Sequence, residues 1–252
     1  MERSDEAPDA APSAISPPPG FQRILVFLLS FVAGYVDACT FLALFGLFVA
    51  QVTGSFVIAG TAPVTHQAGF LLKALAIPAF MVAAVAATVL VAITRTTRQT
   101  AWPWVLGLEA ILLIAFLALG LANSPFRSPD EPAALMAGLC GLAAMGVQSA
   151  SVRLLAQGAP STNVMTTNTT QFAIDATQLL LARVQVAAGA ELCRRPELEK
   201  VKQRLVETAR VMIGFFAGVV LGALAFRLFG FICVAPVIGT LSCLAVVASH
   251  PR

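Results

Sequence analysis

The chain has 252 residues, of which 58% are hydrophobic and only 12% are charged, and its formal net charge at pH 7 is +3. Soluble domains are closer to about 45–50% apolar and about 25% charged, so this chain has too few polar side chains to cover a soluble domain. Its basic residues gather at the ends of apolar segments, a pattern typical of membrane proteins and not of nucleic-acid-binding proteins.

Residues 1–19 are rich in Pro, Ala and Ser and are predicted to form a disordered N-terminal tail. Residues 20–250 are predicted to form a single transmembrane domain. A helix that crosses the bilayer needs about 20 apolar residues. Six segments meet this requirement, namely residues 24–45, 70–94, 102–122, 133–155, 206–228 and 231–248.

Two further apolar segments are ambiguous. Residues 46–60 are short and contain Gln51, Thr53, Gly54 and Ser55. Residues 164–181 open with a run of Thr, Asn and Gln and carry Asp175. Each is too short or too polar for an ordinary spanning helix, so each either crosses the membrane or enters it and returns on the same side.

The distribution of basic residues favours six crossings over eight. Cytoplasmic segments are enriched in Lys and Arg. If both ambiguous segments re-enter, then the N-terminus, the Arg95/Arg98 loop, the basic linker 183–205 and the C-terminus all lie in the cytoplasm. If both cross, the Arg95/Arg98 loop lies outside. The charge pattern predicts a multi-pass protein with both termini cytoplasmic. Tyr, Lys and His are scarce and Ala is abundant, which suggests a GC-rich bacterial genome, so we expect a location in the bacterial inner membrane.

The ambiguous segments occupy matching places in two halves, residues 20–122 and 133–250. Matching positions lie 112 or 113 residues apart, as in Gly34 and Gly146, Gly46 and Gly158, and Thr53 and Thr166. The next helix of each half carries small residues four apart, which let helix backbones approach closely: Ala79, Ala83 and Ala87, then Gly214, Gly218 and Gly222. Three crossings per half would give an inverted-topology repeat, a plan that recurs in secondary transporters.

The first half also carries a family resemblance in Gly34-Tyr35-Val36-Asp37-Ala38, Phe41-Leu42, Gly46 and Val52-Thr53-Gly54-Ser55. These motifs resemble the YoaK-like family of bacterial membrane proteins across about residues 20–250. The resemblance implies a multi-pass topology and little chemistry. Ser55 replaces the Asn that is usual in this family, and Thr167 stands where a Gly often follows the Thr of the second half.

Two carboxyl groups are predicted to lie within spans, those of Asp37 and Glu109. A charged group at the bilayer centre costs about 2.5–3.5 kcal/mol or more, so each must be protonated, paired or exposed to water. For Asp37 the alternatives are a proton-coupling or cation site and a hydrogen bond that fixes the re-entrant segment. For Glu109 a proton-coupling role and a structural role are equally compatible with the sequence.

The polar residues of the ambiguous segments are the other candidate site. Backbone that breaks within a membrane is tolerated only inside protein or beside a watery cavity. If helices begin at these breaks, their N-terminal N–H groups favour an anionic ligand; simple capping of the helices is the alternative. The predicted substrate-binding residues are Asp37, Gln51, Thr53, Gly54, Ser55, Gln148, Ser149, Thr166, Thr167 and Asn168.

Two charged features remain. Arg153 lies near the end of its span, where its side chain is expected to reach the membrane surface, and a pair with Asp175 is an alternative. Residues 189–205 are predicted to form either an amphipathic surface helix that begins near Pro196 or, as the favoured interpretation, a solvated charged connector.

These features favour a small secondary transporter or permease that binds a small molecule or ion between the two re-entrant segments. A non-transporting assembly or regulatory protein is the alternative. An enzyme is disfavoured because the sequence lacks nucleophile, metal and cofactor motifs, so no cofactor and no metal is expected. A homodimer is compatible with a 26.3 kDa chain, although nothing in the sequence requires one.

Overall fold

The computed structural model describes residues 19–65, 69–97, 99–187 and 195–249. These residues form eight α-helices and one short 3-10 helix, with no strand among them. The helices are α1 Pro19–Ala43, α2 Thr53–Thr65, α3 Phe70–Thr96, α4 Trp102–Asn123, α5 Pro132–Leu155, α6 Met165–Ala187, α7 Arg195–Phe229, the 3-10 helix Gly230–Val234 and α8 Ala235–Ser249. The predicted all-α polytopic bundle is confirmed, whereas the predicted tail up to residue 18, Arg98 and linker residues 188–194 lie outside the described residues.

Five helical runs of the described chain are long and apolar enough to cross a membrane: α1, α3, α4, α5 and the run Pro196–Ser249. The last run has 54 residues, about 80 Å of helix at 1.5 Å per residue, against a bilayer core of about 30 Å. Gly230 interrupts this run with a φ of +57°, between the predicted spans 206–228 and 231–248. The fifth run therefore contains two of the six predicted spans.

Helices α2 and α6 do not belong to this apolar set. Helix α2 has 13 residues, about 20 Å, and is too short to cross. Helix α6 has 23 residues but is too polar. The helix of the first ambiguous segment begins at Thr53 and not at Gly46, because residues 44–52 form a loop whose turn uses the left-handed backbone of Phe45 and Gly46.

Glycines bring α1 and α7 into backbone contact. A Cβ atom at Gly34 would overlap the carbonyl oxygen of Phe215, and one at Gly218 would overlap that of Phe31. Along the ridge Gly214, Gly218 and Gly222 the α1 residues in contact are Phe27, Phe31 and Tyr35 in turn, so the contacts advance together and α1 and α7 run parallel. Arg23, near the start of α1, forms an ion pair with Glu207 of α7, with an Nε–Oε1 distance of 3.3 Å.

Helices α3 and α5 form a second close parallel pair. A Cβ atom at Gly146 would lie 2.7 Å from the carbonyl oxygen of Phe80 and 3.1 Å from the Cβ of Ala83. Gly34 and Gly146 are 112 residues apart, and their neighbours Phe215 and Phe80 are 135 apart. The first spanning helix of each half, α1 or α5, therefore packs on the second spanning helix of the other half, α7 or α3. The residues in contact occupy matching positions.

Helices α1 and α5, the matching first helices, run in opposite directions where they meet. The Gln148 side chain donates to the carbonyl oxygen of Leu29, at a distance of 3.0 Å. A Cβ at Gly141, two turns earlier in α5, would lie 3.5 Å from the methyl carbon of Thr40, three turns later in α1. Each helix is followed, three residues after its last residue, by a glycine with left-handed backbone, Gly46 with φ +79° and Gly158 with φ +82°.

The described C-terminal part of the charged linker is helical and belongs to α7. Residues from Arg195 onward are helical and continue without a break into the apolar part of α7. This corrects the favoured interpretation of residues 189–205, of which 189–194 lie outside the described residues. The helix continues because residues 195–210 contain no Gly and one Pro at the second helical position, where proline is tolerated.

The glycine contacts predict a position-dependent response to added methyl groups. Gly34→Ala or Gly218→Ala should destabilise the protein by about 1–3 kcal/mol, because each new Cβ meets backbone atoms that a helix cannot move. Gly239→Ala is the matched control, since nothing lies within 4 Å of a Cβ there. Thermal unfolding of the purified chain in detergent measures the difference; equal melting temperatures for all three variants would contradict the packing.

Candidate functional site

One cavity of about 470 Å³ is lined by the N-terminal ends of both α2 and α6. Residues 50–53 and Phe56 form its side from the first half, and residues 163–166 form the side from the second half. Helix α3 contributes Phe80, Ala84 and Thr88, and α5 contributes residues 149–150 and 153–154. The two breaks that the sequence singled out therefore face a common space.

Four of the predicted site residues line this cavity, namely Gln51, Thr53, Ser149 and Thr166. The other predicted residues lie near it without lining it: Asp37, Gly54, Ser55, Gln148, Thr167 and Asn168. Of these six, Asp37, Ser55, Gln148 and Asn168 are buried and no more than 5% exposed. The predicted set thus divides into residues at the cavity surface and residues behind or beside it.

Asp37 anchors the loop that leads into α2. Its Oδ1 accepts hydrogen bonds from the backbone N–H groups of Val49, at 2.7 Å, and Ala50, at 2.8 Å. The side chain is only 3% exposed. Because residues 44–52 leave the helical hydrogen-bond pattern, their N–H groups need other partners, and the Asp37 carboxylate supplies one for two of them.

Neutral side chains anchor the second loop. The Nε2 atom of Gln148 lies 3.0 Å from Thr162 Oγ1 and 3.2 Å from Asn163 Oδ1. Asn168 Nδ2 donates to the carbonyl oxygen of Ser161 at 2.6 Å. The Oε1 atom of Gln148 is buried without a partner among the described residues. This network holds residues 161–163 at the start of α6, as Asp37 holds residues 49–50 before α2.

The two anchors differ although their positions correspond. Asp37 matches Ser149 at 112 residues, and Val49 and Ala50 match Thr162 and Asn163 at 113. In the second half the anchor comes from the residue before the matching position, Gln148. Ser149 is therefore left at the cavity surface, and the two halves are not equivalent there.

Glu109 lies away from the cavity, on α4, which packs mainly on α5 and α8. It is 1% exposed, and its Oε1 has no hydrogen-bond partner within the described parts of the chain. Ionising a buried carboxyl group that has no partner costs free energy. Glu109 is thus a buried acid that packing alone does not explain.

The sequence was also compatible with a pair between Arg153 and Asp175, but the structure does not contain this pair. The fully buried Asp175 side chain accepts from Arg204, with an Nε–Oδ2 distance of 2.9 Å, and from Gln171 at 2.9 Å. The pairing differs because α7 continues from Arg195 alongside α6 and brings Arg204 to Asp175. Arg153 instead lines the cavity.

Sequence reasoning missed Arg153, Thr88 and Phe80 as lining residues. A signal for Arg153 was present, because it follows Ser149 by four residues and so lies on the same face of α5. In the same way Phe80, Ala84 and Thr88 follow one another at intervals of four on α3. No group of three or more His, Cys, Asp or Glu side chains lies close enough to hold a metal in the described ranges.

A family described as "Protein of unknown function (DUF1275)" matches residues 25–247. No curated protein and no solved structure matches the chain.

The Asp37 anchor predicts a graded response to substitution. Asp37→Ala should destabilise the protein by about 1–3 kcal/mol, because it leaves two buried N–H groups without an acceptor. Asp37→Asn should retain most of the stability, since an amide oxygen can still accept. Ser149→Ala, at the matching position of the second half, is the control and should have little effect. Thermal unfolding in detergent tests this order, and an equal loss in Asp37→Asn and Asp37→Ala would contradict it.

Proposed function

The chain belongs to the DUF1275 family of proteins of unknown function, and we propose that it is a small secondary transporter or permease of the bacterial inner membrane. The observation that carries this proposal is the cavity lined by the starts of both α2 and α6. Transporter sites commonly lie where broken helices from two repeats meet. A protein that served only as a structural partner would not need a cavity to which both broken segments contribute polar side chains.

We further propose that the two halves form an inverted-topology repeat. The antiparallel contact between α1 and α5 supports this, because matching helices with opposite directions define such a repeat. The contacts of Gly34 with Phe215 and of Gly146 with Phe80 support it as well, because each joins matching positions of opposite halves. Eight crossings would make α1 and α5 parallel, so the observed contact favours six crossings and two re-entrant helices.

In this arrangement the ends of α3 and α5 that carry Arg95 and Arg153 face the cytoplasm, as does the basic start of α7. Both termini then lie in the cytoplasm, in agreement with the preference of Lys and Arg for that side. Helices α2 and α6 enter from opposite sides and meet at the cavity. The narrower YoaK-like resemblance stays a prediction within this family.

The proposed substrate contacts come from the lining residues Gln51, Thr53, Ser149 and Thr166. The remaining predicted residues are proposed to shape the site from behind, by fixing the loops before α2 and α6. Asp37 is proposed to couple protons to transport, because protonation would weaken, without breaking, its hydrogen bonds with Val49 and Ala50 and so loosen the first loop. Glu109 is proposed as a second proton site, since it is a buried acid without a described partner.

The alternative is a non-transporting assembly or regulatory protein, which would need a surface for its partner. The Gly214, Gly218 and Gly222 ridge suggested association with another helix, but α1 of the same chain occupies it. A homodimer stays a prediction that would need another surface. We propose a function without enzymatic activity and without a cofactor, with a small solute and the lipid bilayer as partners.

Proton coupling predicts a specific kinetic change. Uptake of a transported solute into proteoliposomes should rise with an inward proton gradient in the wild-type chain. Glu109→Gln or Asp37→Asn should remove this dependence and leave gradient-independent exchange, because neither amide can release a proton. Thr61→Ala, at an exposed position on α2, is the control. If both variants keep the full pH dependence, these residues do not couple protons.

The six-crossing arrangement predicts which loops label from outside. In a cysteine-free background, Thr96→Cys at the end of α3 should react with an impermeant maleimide only after the cells are permeabilised. Arg127→Cys, in the loop between α4 and α5, should react in intact cells. External labelling at position 96 would contradict the re-entrant assignment of α2.

A further inference from the structure

Among the described residues that line the 470 Å³ cavity, Arg153 is the one charged side chain. Every other lining residue is apolar or carries a hydroxyl or amide group, and the nearby Asp37 carboxylate is bound to backbone behind the lining. The cavity therefore has a positive charge and no negative one. A substrate that neutralises this charge would be an anion.

We propose that the cavity binds a small organic anion whose charged group pairs with Arg153 and whose apolar body packs on Phe56 and Phe80. This inference rests on the proposed function and adds the chemical class of the substrate. A guanidinium group presents paired N–H donors that match a carboxylate or a phosphate. The aromatic walls favour an anion with a carbon skeleton over a bare inorganic ion.

The ends of α2 and α6 add to the same preference. Residues 53 and 56 of α2 and residues 165 and 166 of α6 line the cavity, so the first turns of both helices adjoin it. First-turn N–H groups lack intrahelical acceptors, and helix N-termini carry partial positive charge. The hydroxyl groups of Thr53 and Thr166 are further donors. Arg153 and the N-terminal ends of α2 and α6 thus all contribute positive charge or partial positive charge to one cavity.

A neighbouring cavity suggests the route of entry. It has about 250 Å³, shares Ser149 and Arg153 with the first, and is otherwise lined by the end of α5 and the loop before α6. Arg153 lines both spaces, so a solute that enters from the end of α5 passes this residue on its way to the larger cavity. The volume of the larger cavity falls within the range of about 300–1,000 Å³ that is typical of small-molecule sites.

The test uses solutes of one shape and different charge. Benzoate, benzamide and benzamidinium form one series; succinate, succinamide and putrescine form a second; inorganic phosphate tests a bare anion. Binding to the full chain in detergent is measured by thermal shift, and uptake of the radiolabelled solutes is measured in proteoliposomes. The variants are Arg153→Gln and Arg153→Lys, with Arg183→Gln as a control that removes one exposed positive charge away from the cavity.

The expected result is binding and uptake of the anion of at least one series, with its neutral and cationic analogues at least about tenfold weaker. Arg153→Gln should weaken anion binding by about 10- to 100-fold, the usual effect of losing a hydrogen bond to a charged group. Arg153→Lys should restore most of the binding, and Arg183→Gln should leave it unchanged.

The outcomes separate this inference from the proposed function. If a neutral or cationic solute binds and is transported while Arg153→Gln has no effect, the anion class is wrong and the transport function stands. If phosphate alone binds through Arg153, the organic class is wrong. If no solute of the panel binds or moves in a chain that unfolds cooperatively, both the substrate class and the transport function are rejected.

Discussion

Two loops interrupt the helical bundle, and the polar backbone groups in these loops need partners because the surrounding residues are apolar. In the first loop the backbone N–H groups of Val49 and Ala50 donate to the buried carboxylate of Asp37. In the second loop the amide of Gln148 bonds the side chains of Thr162 and Asn163, and Asn168 donates to the carbonyl oxygen of Ser161. Because these anchors fix residues 49–50 and 161–163, α2 and α6 start at defined places. The position of the cavity follows from these two starting points.

The frame that holds the loops depends on close helix packing. Within a membrane, apolar side chains gain little by leaving lipid, so helices associate mainly through close contact and polar groups. Gly34 and Gly218 let α1 and α7 meet at the backbone, and Gly146 does the same for α5 and α3. Each of these pairs joins one half to the other, so neither half is complete by itself.

The difference between the halves gives the cavity its chemistry. Asp37 is engaged with backbone, whereas Ser149, at the matching position, is free to line the cavity, and Arg153 follows one turn later. The position that matches Arg153 in the first half is Phe41, which packs on Phe48 with ring centroids 4.9 Å apart. The first half thus has an aromatic side chain at the position where the second half has the positive charge that lines the cavity.

The sequence by itself determined the all-α membrane architecture, the positions of the spans and the two polar breaks, because hydropathy and length depend only on local composition. It also indicated the repeat, since Gly34, Gly46 and the small-residue ridge recur in order. Only the tertiary structure decided that Thr53 and Thr166 line one cavity, that Asp37 binds the loop backbone, and that Asp175 pairs with Arg204 and leaves Arg153 at the cavity. Thr53 and Thr166 are 113 positions apart, whereas Asp37 and Ala50 are 13 apart and Asp175 and Arg204 are 29 apart. Local composition predicts none of these contacts, because each depends on how the chain turns and on which helices meet.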